Sequence, residues 1–289
     1  RYICKTNITD IMMKIGEYNE LRVSRDSDYG LYLADGDNNE VLLPRRYVTT
    51  DMQAGETLRV FVYRDSEDRP VATTEKPYAT VGQFAYLAVT AVNDTGAFLD
   101  WGLAKDLLVP YSEQRSRMHR GGIYLVYVYL DKTTGRVVGS AKTDRFLGNV
   151  IPRYRRGAEV EALVIEHTPL GYKVIVDNLH RGMIYENEIY APLEVEQTVK
   201  AYVKHVRPDG KIDLSVGAGA MDRVGEIAPR IVAALQVAGE GRLELSDHSS
   251  PEIIKELFQC SKKDFKRALG TLYRQGVIKI NPDSIELVR

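Results

Sequence analysis

The sequence predicts a mainly β protein: three tandem five-stranded closed barrels followed by a small α+β unit that ends in a hairpin. Three observations carry this. The chain repeats itself, each repeat reads as short strands broken by turn residues, and the pattern changes to helical spacing after Gly217.

The repeat is legible in its glycines. Gly16, Gly30, Gly55 and Val62 recur 66 positions on as Gly82, Gly96, Gly121 and Val128. A further 75 positions on come Gly157, Gly171 and Val203, with Glu196 where Gly121 leads one to expect glycine; Gly135 maps to Gly210 and Ser140 to Ser215. The segments 16–76, 82–142 and 157–217 therefore align without gaps. Within them, apolar and polar residues alternate in VEALVIE, GAFLD and IYLVYVYLD, and DGDNN, TTGR and RPDGK separate the runs. About five strands in roughly sixty residues suit a small barrel, because closure leaves no unprotected edge. The expected boundaries are 1–12 for an N-terminal extension, then 13–78, 79–147 and 148–217 for the barrels and 218–289 for the last unit. RYICKTNITDIM does not fit the repeat, so Met13 is expected near the natural start; an ordered N-terminal strand is the alternative.

Two sets of outward side chains follow from the period of two. Phe98 lies opposite the core-facing Ala97 and Leu99, so an aromatic ring stands on a solvent face. In the fourth strand of each repeat Leu58, Val60 and Val62, then Tyr124, Val126 and Val128, should point inward. That leaves Phe61, Tyr63, Tyr127, Tyr129 and Tyr202 on the other face, where contact between modules is expected.

The last unit opens with DRVGEIAPRIVAAL, helical in spacing, in which Pro229 should kink the helix or delimit its first turn. GAGA at 217–220 reads as a linker and RLELSD as a short strand. Ser250 can cap a helix that begins at Pro251, and Ser261 one with apolar Phe265, Leu269 and Leu272, ended by Gly276. VIKI and IELV then flank the turn NPDS. Helix, strand, helix, turn, helix, hairpin is winged-helix order. Lys262, Lys263, Lys266 and Arg267 lie on the side of the third helix away from its apolar stripe.

Composition sets limits. The chain has 44% hydrophobic and 27% charged residues and a formal net charge of −1. It lacks an apolar run of membrane-spanning length, so no membrane partner is expected. The cysteines, Cys4 and Cys260, are too far apart for a metal motif, and a reduced, cytoplasmic setting is the simpler reading. Residues 16–76 hold eight Lys/Arg against thirteen Asp/Glu, whereas 82–142 hold seven against five, so phosphate-binding surface is expected in the later modules. The phosphate-loop and zinc-peptidase patterns are absent, and the histidines are scattered. No enzyme, metal site or cofactor is expected.

Gly-Ala-Phe-Leu, an apolar triplet closing on Ser-Glu, the later Asp…Gly-Arg and the GKIDLSVG of the third repeat resemble the S1 RNA-binding domain, an OB-fold barrel. Three such S1-like barrels followed by a winged helix resemble the conserved virulence factor B family of bacterial RNA-binding regulators. The stretches GAFLDWGLAKDLLVP and VFVYRDSEDRPVATTEKP are the most specific parts. The resemblance implies that one face of the second and third strands holds single-stranded RNA, its bases stacked on aromatics and its phosphates tracked by cations. The family's strand aromatic falls on Tyr32, Phe98 and Lys173, and the aromatic before the glycine on Tyr29, Thr95 and Leu170. Its common histidine falls on Pro44, Pro110 and Tyr185. The basic residue before the last strand is Arg136 in the second module and Lys211 in the third, while Pro70 occupies the equivalent place in the first. No module keeps the full set.

Further cations are candidate phosphate contacts: Arg153, Arg155 and Arg156 between the second and third repeats, and Arg115, Arg117 and Arg120 in the long loop of the second. Solvated surface is the competing reading for both clusters. Three functions remain open. The first is a cytoplasmic protein that grips single-stranded RNA and regulates expression after transcription. The second is a transcription regulator led by its winged helix, although mostly lysines on the third helix make duplex DNA the lesser expectation. The third is an adaptor that docks on ribosomes or ribonucleases.

Overall fold

A computed structural model of the chain describes residues 13–186, 189, 192–216 and 220–288. The expected extension 1–12 and most of the GAGA linker (217–219) lie outside the described residues. Two compact units emerge, one running to Phe146 and the other beginning at Leu147.

The first unit holds two barrels. Strands β1 (Glu17–Ser27), β2 (Gly30–Ala34), β3 (Glu40–Pro44), β4 (Thr57–Arg64) and β5 (Pro70–Thr73) close in the order β1-β2-β3-β5-β4. Strands β6 (Phe84–Val92), β7 (Gly96–Leu99), β8 (Leu107–Pro110), β9 (Ile123–Leu130) and β10 (Val137–Ser140) close the same way. In the second unit, β11 (Glu159–Thr168), β12 (Gly171–Val176), β13 (His180–Tyr185), β14 (Thr198–Val206) and β15 (Ile212–Val216) form the third barrel. In each, the third and fifth strands run parallel and every other pairing is antiparallel.

The repeated glycines have a steric reason. At the first residue of β2, β7 and β12 the hairpin partner passes so close that an added Cβ would meet a carbonyl oxygen. It would lie 2.0 Å from Leu43 at Gly30, 2.3 Å from Val109 at Gly96 and 2.2 Å from Ile184 at Gly171. A second recurrent device is a break in register on the first strand, between Val23 and Arg25, Val89 and Ala91, and Val164 and Glu166. The extra residue of this bulge, Ser24, Thr90 or Ile165, turns the strand around the barrel corner.

The two barrels of the first unit share apolar packing. Phe61 and Tyr63 point away from their own core and join Leu87, Val89, Trp101 and Val126 in one buried cluster. Phe61 is fully buried, its ring 5.8 Å from Trp101 and edge-on to it. Arg64 donates to the Gly135 carbonyl at 3.0 Å and Lys105 to that of Asp65 at 2.6 Å. The outward aromatics of β4 thus lie between modules, as expected. Those of β9 do not. Tyr127 stacks on Phe146 at 4.0 Å and lies 4.7 Å from Phe84, and Tyr129 lies 5.5 Å from Phe146. The turn after the second barrel folds back and covers that row from within the same module. The Tyr202 hydroxyl donates to Glu159 on the neighbouring strand of its own barrel.

The winged-helix unit comprises α1 (Ala220–Val237), β16 (Arg242–Leu243), α2 (Pro251–Phe258), α3 (Lys262–Arg274), β17 (Ile278–Ile280) and β18 (Ile285–Leu287), with sheet order β16-β18-β17. Pro229 sits inside α1 and does not delimit it, and RLELSD pairs over only two residues. The Ser250 hydroxyl accepts from the Ile253 amide and Ser261 from Asp264, so both caps form as read. Ile231, Leu235, Ile254, Phe258, Phe265, Leu269 and Ile285 make the core.

Candidate nucleic-acid interface

The bulge builds the same outer-face platform three times. By realigning the first strand it sets Arg25 opposite Tyr32, Ala91 opposite Phe98 and Glu166 opposite Lys173. Across the hairpin the neighbours are Leu42, Leu108 and Met183. Ser24 and Thr90 each donate to the carbonyl of the residue they face, Tyr32 and Phe98, at 3.0 Å. The bulge residue therefore fixes the segment that carries the ring.

In the first barrel the Arg25 guanidinium lies over the Tyr32 ring, 3.5 Å from its centroid, and is held there by Glu40 at 2.9 Å. That pairing pulls the Glu40 carboxyl below its ordinary range. Tyr32 is half-buried under this lid, whereas Tyr29 is 76% exposed and presents a bare ring. In the second barrel Phe98 is half-buried, and Thr90 links its carbonyl to Asp106 at 2.6 Å. A carboxylate, not a cation, therefore stands beside Phe98. Arg136, which the resemblance would assign to the platform, is engaged by Asp68 of the first barrel. The contact pulls Asp68 below the usual carboxylate range. Its guanidinium serves the junction between barrels, because the Asp65–Arg69 turn of the first module reaches it.

In the third barrel Lys173 is exposed and pairs with Glu166 at 2.8 Å. Tyr185 is half-buried, with Arg207 on its hydroxyl and Arg207 paired to Asp213 at 2.7 Å. Lys211 pairs locally with Asp209 at 3.0 Å. Surface pairs of this kind are worth little and exchange readily for phosphate.

The remaining cations divide by partner. Arg117 lies over Tyr111, 3.9 Å from the centroid, and Arg115 is engaged by Asp144. Arg120, Arg153, Arg155 and Arg156 are exposed without an ion pair among the described residues. On the winged helix Lys262 donates to the His248 carbonyl at 3.3 Å, Lys266 pairs with Asp247 at 2.8 Å and Arg267 lies 3.9 Å from Asp264. Lys263 is exposed. The same face of α3 continues through Tyr273, 58% exposed, and Arg274. Sequence reasoning passed over these two, although the spacing from Lys263 and Lys266 through Gly270 to Arg274 marks one helical face. It also missed Arg25 and Arg207, which only strand register brings to Tyr32 and Tyr185. No group of three metal-ligating side chains occurs among the described residues, and no helix there is long and apolar enough to cross a membrane.

Comparison with known proteins agrees with this architecture. The S1 domain family matches residues 15–75 and 81–141, and the CvfB-like winged helix domain matches 229–287. These are nucleic-acid-binding families, not catalytic ones. The uncharacterized protein YitL of Bacillus subtilis (strain 168) is 28% identical over 95% of this chain and 94% of its own length. Conserved virulence factor B of Staphylococcus aureus (strain USA300) is 27% identical over 89% of each chain. A solved multidomain protein with nucleic acid binding domains from Streptococcus pneumoniae TIGR4 is 24% identical, with a TM-score of 0.39 over 95% of this chain and 98% of that one.

Proposed function

Because the chain carries S1 domains followed by a CvfB-like winged helix and so belongs to the conserved virulence factor B family, we propose that it is a cytoplasmic protein that holds single-stranded RNA and acts on gene expression after transcription. One observation carries the reading. The second strand of every barrel offers its outer-face residue to solvent at the same register, Tyr32, Phe98 and Lys173, beside a bulge that fixes its backbone.

Rings stack on bases of any sequence, and cations answer phosphates; neither needs an acid, a nucleophile or a metal. Each platform is incomplete alone. Tyr32 has its cation but sits on an acidic barrel, Phe98 has a carboxylate neighbour, and Lys173 lacks a ring at its own position. Weak sites in one chain still bind well together, since the second contact forms at high effective concentration. The face of α3 supplies generic phosphate attraction, because lysines dominate where base reading would want Arg, Asn or Gln.

Fluorescence anisotropy with labelled single-stranded RNA and duplex DNA tests this. RNA is expected to bind more tightly. Phe98→Ala with Lys173→Ala should cost at least about tenfold in RNA affinity at unchanged melting, since one stacked base is worth roughly 1–3 kcal/mol. Tighter binding to the duplex, or an unaffected double variant, refutes the reading. Docking of the winged helix on a ribosome or ribonuclease is the second reading, favoured by Ile253 and Leu257, which are 45% and 56% exposed one turn apart on α2.

A further inference from the structure

An apolar surface patch sits on a segment that the fold ties down at both ends. The Gly148 amide donates to the Leu179 carbonyl at 2.9 Å, and the Gly157 amide to the Val203 carbonyl at 2.7 Å. Between these anchors Tyr154 packs on the core of the third barrel and donates its hydroxyl to Asp177 at 2.8 Å. The stretch 148–157 is thus held against its barrel, yet Val150 and Ile151 stand 54% and 79% exposed. Leu179, at the first anchor, is 44% exposed.

Val150 and Ile151 edge an open groove of about 490 Å³, which Arg153, Tyr154 and His180 complete, all within the second unit. Large apolar side chains left together in water mark an interaction surface. No strand edge accompanies them. The barrel is closed, and β13 pairs with β12 on one side and β15 on the other. An extended chain therefore cannot add itself here by main-chain hydrogen bonds, and an occupant must be held by its side chains.

Charge gives the occupant's chemistry. Residues 148–158 hold Arg153, Arg155 and Arg156 and no Asp or Glu. All three guanidiniums are exposed and lack an ion pair among the described residues. Asp177, which faces the segment, is engaged by the Tyr154 hydroxyl and the Glu161 amide. The rim thus carries uncompensated positive charge beside aliphatic surface. RNA would answer the charge but not the surface, since bases stack on flat rings, and Val150, Ile151 and Leu179 offer none. Arginine without lysine around an apolar centre is the composition of a protein interface.

We infer that this groove docks an acidic segment of a protein partner, with large apolar side chains of the segment entering beside Val150 and Ile151 and its carboxylates lying on Arg153, Arg155 and Arg156. In such a contact the buried apolar anchors supply most of the affinity, and the charges set partner choice and encounter rate. The surface uses neither the barrel platforms nor α2, and it does not depend on the RNA reading.

Panning a display library of random short peptides on the full chain tests it, with the selected peptides synthesised, labelled and titrated by anisotropy. Enriched peptides are expected to carry Asp or Glu around spaced large apolar residues and to bind with a Kd under about 100 μM. Two variants accompany the wild type, Ile151→Ser and the pair Arg155→Glu with Arg156→Glu. Both change exposed side chains, so melting should stay as it was. Each is expected to weaken the peptide at least about tenfold, and methyl NMR should show Val150, Ile151 and Leu179 shifting on titration. No enrichment, enriched peptides without acids, or binding that neither variant alters overturns the inference. A single-stranded oligonucleotide that loses affinity in Ile151→Ser would make RNA the occupant. A wild-type dimer in sedimentation that Ile151→Ser dissolves would make a second copy the occupant. Either result overturns it as well. Phe98→Ala with Lys173→Ala should leave peptide binding unchanged, so failure of the barrel platforms is read separately.

Discussion

Glu196 occupies a position that glycine holds in the other two repeats. Its φ is 80°, against 90° at Gly55 and 81° at Gly121. All three amides make the same bond to the first strand: Gly55 to the Val23 carbonyl at 2.9 Å, Gly121 to Val89 at 2.8 Å and Glu196 to Val164 at 2.9 Å. The fold therefore imposes a left-handed turn whatever residue stands there. An L-residue in that conformation costs about 1–2 kcal/mol, because its Cβ crowds the following carbonyl. Glu196→Gly removes that cost but gives back roughly 0.5–1 kcal/mol through the freer unfolded chain. The expected balance is a third barrel more stable by about 0.5–1 kcal/mol, or a melting point higher by ~1–4 °C. Gly121→Ala should move the second barrel the other way by a similar amount, since nothing lies within 4 Å of the added Cβ and only the backbone can object. Differential scanning calorimetry of the full chain, with hydrogen exchange at Glu196 and Val203 to assign the transition, reads both. An unchanged or lowered stability in Glu196→Gly would refute the reasoning and give the side chain, not the backbone, control of the turn.

Three other outcomes are expected. Glu166→Gln removes the carboxylate that competes with phosphate for Lys173 and should tighten RNA binding about two- to fivefold in anisotropy at low salt, with the gain shrinking as salt screens it. Phe61→Ala should cost about 3–5 kcal/mol in denaturant titration and open 74–80 to limited proteolysis, because the ring is fully buried between barrels. Burial holds the His180 pKa below its ordinary value, so the neutral imidazole belongs to the folded state. The resulting stability is complete above the unfolded pKa of about 6.5 and drains away as pH falls through the folded value. Urea midpoints at pH 7.5 and 5.5 should therefore differ more in the wild type than in His180→Phe.

Three barrels and a winged helix were legible because closure and capping leave local marks. The glycines at 30, 96 and 171 record a carbonyl that a Cβ would strike, and Ser250 and Ser261 record helix starts. The platform was half legible. Alternation put Tyr32, Phe98 and Lys173 on the outer face, but the bulge that seats Arg25 over Tyr32 depends on register between strands, which no single strand reveals. Arg136 shows the same limit. Its spacing matches a platform cation, while its partner, Asp68, lies 68 residues away in another module. Tyr127 and Tyr129 misled because an outward ring can be covered by any passing segment, here the turn at Phe146.

The buried Phe61–Trp101 contact has a consequence for descent as well as for folding. A fragment starting at Ala79 would carry an indole into water with its neighbour gone, and one stopping at Tyr78 would display a bare phenylalanine. Recombination can then lose or duplicate the two front barrels as a pair far more safely than it can separate them, so the pair, and not the single repeat from which it grew, is the heritable block of this protein.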